Sequence, residues 1–196
     1  MPASTCRPTE RIAAAAAIAL VIAAAGCGGN GASRASGVVD GSAQCEIFLP
    51  GLNPPDFGDG VVRLVLDSSS AASASATSVT LAQGAAAFAV DASGSQTIDP
   101  ALASYFAIQT YQYTSPTRVE LFEVRVLPAV WATGDVVLDG TTATGIYGAI
   151  VFDANGNASS SRIIARTTDG VVHLEAAGRN PREPVIATFS GRTEVE

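Results

Sequence analysis

From Val61 to Glu196, apolar and polar residues alternate over short runs, β-branched and aromatic side chains recur, and Gly, Asp, Asn and Pro punctuate the runs. A period of two lines one face of a strand, whereas a surface helix needs a period near 3.6, which this stretch lacks. The spacing predicts strands over 61–67, 77–82, 85–91, 104–113, 117–127, 130–138, 143–153, 160–168, 171–177 and 184–195. Short runs divided by turn residues point to an all-β fold, an antiparallel β-sandwich or partly closed β-barrel of about 8–10 strands.

Asp169-Gly170 sits between two such runs, and this residue pair tolerates the positive φ of a two-residue hairpin turn. That register sets Arg166 opposite His173 and Thr167 opposite Val172, with Val172 and Leu174 inward and His173 and Glu175 outward. A second hairpin is expected at Asp153–Asn157. In Arg118–Val126 the alternation changes phase between Leu121 and Phe122, which predicts a β-bulge. Ser68 to Ser78 is almost entirely Ser and Ala and reads as an exposed loop.

The amino-terminal end is built differently. Met1 to Arg11 carries Arg7 and Arg11 against Glu10, and the apolar run Ile12–Ala25 follows. A positive leader before a short apolar core is the layout of a secretory signal. A bilayer-spanning helix needs about 20 apolar residues, and this Ala-rich run is shorter. The sequence Ala24-Ala25-Gly26-Cys27-Gly28 resembles the lipobox of bacterial lipoproteins, with Ala24 where that class usually has Leu. The resemblance implies cleavage before Cys27 and a diacylglycerol, with palmitate-type chains, on the Cys27 thiol. It also implies a place in the bacterial cell envelope, and Gly28 in place of Asp favours the outer over the inner membrane. Ala23-Ala24-Ala25 fits ordinary secretory cleavage as well, which would release a secreted or periplasmic protein.

The expected organisation is a signal peptide at 1–26, a lipidated Cys27 with a flexible linker over 27–44, and a β-domain over 45–196. The linker is rich in Gly and Ser, and its reach is about 20–25 Å for a chain of that length. Two or more acyl chains make such an anchor stable, since each buried methylene contributes about 0.8 kcal/mol.

Composition excludes several chemistries. The chain has no Lys, so a Walker A phosphate loop, a Schiff-base enzyme and a Ser-x-x-Lys acylase cannot be built. Beyond residue 26 it carries nine Arg against seventeen carboxylates, a formal charge of −8, which disfavours nucleic acid and anionic lipid headgroups as partners. With Cys6 in the leader and Cys27 lipidated, Cys45 has no disulfide partner and reads as a small buried hydrophobe.

Few residues suggest a site. His173 is the only histidine, so a multi-histidine metal centre within one chain is ruled out, and its strand position reads as surface. Asp153, Asn155 and Asn157 have the opening rhythm of a calcium loop, but Ala158 and Ile164 stand where an EF-hand needs Gly and Glu, so a turn explains them. Asp56 and Asp59 lie in a Pro/Gly-rich stretch and read as turn formers. Tyr105, Tyr111 and Tyr113 share one parity of their strand, and Phe106 and Ile108 share the other. The tyrosines therefore form either an aromatic binding stripe or one side of a strand buried on both faces. Trp131 reads as core.

No catalytic residue, metal or cofactor is expected. The residues point to a membrane-anchored, non-enzymatic structural or interaction module with an envelope protein or glycan as partner. A β-barrel carrier of an apolar ligand is the alternative, and a carboxylate-based hydrolase a weaker one.

Overall fold

A computed structural model describes residues 36–48, 58–70 and 73–196. Among the described residues, eleven strands make one antiparallel sheet: β1 (Ser36–Glu46), β2 (Asp59–Ser70), β3 (Ser73–Leu81), β4 (Gly84–Val90), β5 (Gln96–Thr97), β6 (Tyr105–Ser115), β7 (Arg118–Val126), β8 (Gly134–Leu138), β9 (Ala143–Phe152), β10 (Ala158–Ala177) and β11 (Pro184–Val195). Their order is β3-β2-β1-β11-β10-β9-β7-β6-β4-β5, and β8 pairs with the later part of β10. The sheet curls without closing into a barrel. Phe122 of β7 stacks on Phe189 of β11 with ring centroids 5.3 Å apart, although β9 and β10 separate their strands in the sheet. Bridges from Ile47 to Ala87 and from Gly58 to Ala85 bring the chain flanking β1 and β2 against β4.

The inner face is the main core. Small residues such as Ala43, Ala85, Ala87, Ala165 and Ala187 sit among Phe106, Phe122, Phe189, Tyr147 and Trp131. Trp131 is fully buried as expected, stacked on Phe106 at 4.8 Å, and its indole N–H donates to the Gly178 carbonyl at 2.8 Å. Cys45 faces the same core, and burial, helped by the Glu46 charge, pushes its thiol up to about 12.

Several expectations change. The expected flexible linker extended to residue 44, but β1 begins at Ser36 and is paired on both edges, with β11 and β2. Its glycines are needed for close packing: a Cβ on Gly41 would lie 2.6 Å from the Phe189 ring and 2.5 Å from the Val61 carbonyl. Of the Ser/Ala stretch expected as a loop, residues 68–70 end β2 and residues 73–78 make most of β3, while 71–72 lie outside the described residues. Asp169-Gly170 does not turn. It lies inside the continuous β10, where Thr168 is an extra residue in the register with β11, so a bulge absorbs the pair. His173 therefore stands opposite Thr188 and Asp135 instead of Arg166. Val172 and Leu174 do face the core, and His173 and Glu175 face outward.

The turn at Asp153–Asn157 forms as expected, with Gly156 at φ 83° and the Asp153 carboxylate accepting backbone N–H bonds from Asn155 and Asn157. No bulge interrupts β7 at Leu121 and Phe122, whose register with β6 and β9 runs unbroken through both residues. The phase change instead marks a strand buried on both faces.

Candidate interaction face

The outer surface divides into two unlike halves. On β1 and β2, outward residues such as Asp40, Ser42, Gln44, Arg63 and Asp67 are exposed, as for a sheet with one solvated face. On β4, β6, β7 and β9 the outward residues are largely apolar and buried, and Ile163 of β10 joins them although Ala158–Arg162 at the start of that strand are exposed. Val119, Leu121, Ile146, Ile150, Phe152 and Ile163 form one cluster there, with Tyr111 and Tyr113 packed against it. Phe88, Val90 and Ala107 form a second, with Phe48 and Tyr105 against it.

The three tyrosines expected to form a stripe all lie on this face and are half-buried. Tyr111 and Tyr113 meet edge to face, with centroids 6.1 Å apart. Burial, and then the neighbouring Tyr113, pushes the Tyr111 hydroxyl up to about 12; burial alone raises Tyr113. Tyr105 stands apart, under the Arg125 guanidinium at 5.0 Å from its ring centroid, and burial raises its hydroxyl. The strand that carries them is buried on both sides from Phe106 to Thr110, so both readings of its parity hold in different stretches.

Between the two apolar clusters runs a polar group the sequence did not reveal. Gln109 donates its amide to Glu123, and Arg125 donates to the other oxygen of the same carboxylate. Glu123 has no solvent exposure. Gln109 shares the tyrosines' parity, but its pairing with Glu123 is set by the register of β6 and β7. On the inner face, Tyr147 donates its hydroxyl to Glu120 at 2.7 Å, and burial followed by that bond raises the phenol.

The other sequence candidates are scattered. His173 is exposed, and its Nδ1 lies 2.6 Å from Asp135. Asp153 spends its carboxylate on its own turn, and among the described residues no group of three or more His, Cys, Asp or Glu side chains could hold a metal. Asp59 is exposed on β2. Cys27 and Asp56 lie outside the described residues. Among the described residues, no helix is long and apolar enough to cross a membrane. Comparison with protein families, with curated proteins and with solved structures returned no match.

Proposed function

We propose that this chain is a lipid-anchored lipoprotein of the bacterial cell envelope, a non-enzymatic interaction module whose working surface is the tyrosine-bearing outer face of β6, β7 and β9. The observation that carries the reading is the unequal outer surface: apolar with half-buried aromatics on one half of the sheet, polar on the other. Amphipathic aromatic rings around an apolar centre suit recognition of an envelope protein or a glycan.

The tether is shorter than the sequence suggested. Eight residues separate Cys27 from Ser36, so the anchor holds the sheet within about 30 Å of the lipid even at full extension. A non-enzymatic role is supported by placement, since the one histidine faces solvent on an open sheet and the Cys45 thiol is buried. The carrier reading would need apolar space inside the curl, where the Phe122 and Phe189 rings stack.

Fractionation of the producing cells tests the proposal. The wild-type chain stays with salt-washed envelopes and leaves only with detergent, whereas Cys27→Ser is released without detergent. A photo-crosslinker at Tyr113 captures an envelope component, and one at Asp40, on the polar half, does not. Release of the wild-type chain by salt, or equal capture from both positions, would overturn it.

A further inference from the structure

The polar half of the outer surface holds a depression of about 420 Å³ that crosses β2, β1, β11 and β10. Val65, Val38, Arg192 and Asp169 form one row across it, each opposite the next in the register. Residues directly opposite one another project to the same face, and all four are exposed. Leu66 pairs with Gly37, so Asp67 and Ser36, both in the lining, carry the depression towards the start of β1.

The charges in this depression are not spent on one another. Arg192 stands directly opposite Asp169, yet among the described residues the two form no salt bridge, and Asp67 joins none either. A simple anion is disfavoured, because Asp67, Asp169 and Glu194 outnumber Arg192 in the lining, and a simple cation would meet Arg192. A ligand carrying both signs suits both. Arg192 and Asp67 lie two strands apart and two residues out of row, about 12 Å, with Val38 and Ser36 on the strand between. Charge-assisted contacts of about 3 Å at each end leave roughly 5–6 Å between the ligand's own charges, the spacing of an ammonium and a phosphate on a two-carbon linker. No aromatic side chain lines the depression, so a quaternary ammonium would lack the rings that recognise it, whereas a primary one can donate hydrogen bonds to Asp67.

We propose that this depression binds the ethanolamine phosphate headgroup of a membrane phospholipid, with the phosphate on Arg192, the ammonium on Asp67 and the methylenes over Val38. The membrane as source rests on the anchor reading above, which keeps Ser36, at the lip of the depression, eight residues from the acylated Cys27. A headgroup held there also orients the domain. Phe122 of β7 and Phe189 of β11 stack across the interior, so the outward faces of β7 and β11 point in opposite directions. Docking through β11, β1 and β2 therefore turns the tyrosine-bearing face away from the lipid.

The test uses the protein extracted in detergent from envelopes of the producing cells and titrated with isotopically labelled glycerophosphoethanolamine, whose NMR line width reads binding. Saturable binding is expected, weakened at least tenfold in Arg192→Gln and in Asp67→Asn and unchanged in Asp40→Asn, outside the depression. Glycerol phosphate, which lacks the ammonium, and glycerophosphocholine, whose ammonium donates no hydrogen bond, each bind at least tenfold more weakly. In vesicles that contain phosphatidylethanolamine the bilayer competes, and the probe's apparent affinity falls at least tenfold below that in vesicles of phosphatidylcholine alone. Absence of saturable binding, equal binding of the three probes, affinity unchanged in both Arg192→Gln and Asp67→Asn, or equal affinity in the two kinds of vesicle would overturn the proposal. Failure of the anchor reading is seen separately, as an absence of lipid on Cys27, and leaves the detergent titration standing.

Discussion

Arg125 places its guanidinium on the carboxylate of Glu123, two residues earlier on the same strand, and Glu123 has no solvent exposure while the Arg125 side chain keeps a fifth of its surface exposed. The charge therefore lies under an apolar face with its counter-ion leading towards solvent. Breaking a buried pair on one side costs about 3–5 kcal/mol, because a charge is left without a partner. Arg125→Met is expected to lower unfolding stability by that amount in urea titrations. Adding Glu123→Gln, which leaves two amides facing one another at Gln109 and position 123, should recover most of the loss.

Thr167 and Thr193 are directly paired across β10 and β11, and both side chains are buried with hydroxyls that have no hydrogen-bond partner. A buried polar atom without a partner costs free energy that an apolar group of the same shape does not. Thr193→Val and Thr167→Val should each stabilise the fold by about 1 kcal/mol, seen as a raised thermal midpoint without a change in circular dichroism. A fall in the midpoint would show that the hydroxyls are satisfied.

Glu183 closes the turn before β11 by accepting from the backbone N–H groups of Asn180 and Arg179 and from the Asn180 side chain, which together hold its carboxyl at about 2 against an ordinary 4.5. A carboxyl depressed in the folded state contributes stability above its unfolded value, and that contribution disappears as pH falls through the folded one. The Glu183 contribution is thus complete above about pH 4.5 and lost by about pH 2. Glu183→Gln should flatten the thermal midpoint over this window while Asp91, Asp139 and Asp153, also lowered by turn hydrogen bonds, keep the rest of the acid limb.

Much of the fold was legible wherever one face of a strand is wet. The run 184–195 matches β11 end to end, and the Asp153–Asn157 turn lies where its residues place it. Two misreadings have one physical origin, which is that local chemistry was overruled by contacts distant in sequence. Gly37 and Gly41 suggested a mobile linker, but a glycine is what lets β1 pass beneath Leu66 and Phe189. Asp169-Gly170 has the chemistry of a turn, yet the ladder to β11 continues through it, a ladder to β8 begins at Gly170, and the bulge at Thr168 takes up the irregularity.

The candidate face was half legible. The parity of Tyr105, Tyr111 and Tyr113 was visible, but the burial of Glu123 was not, because its partners Gln109 and Arg125 carry no signature of pairing until β6 and β7 lie side by side. The change of phase at Leu121 and Phe122 was the available clue. Alternation fails on a strand that is apolar on both sides, and a bulge is only one of the ways it can fail.

The claim on which the functional account rests is that Cys27 becomes the acylated first residue. Intact-mass analysis of the protein extracted from envelopes of the producing cells measures this directly. The account predicts an amino terminus at Cys27 carrying a diacylglycerol. A chain that starts elsewhere, or a Cys27 of unmodified mass, would contradict it.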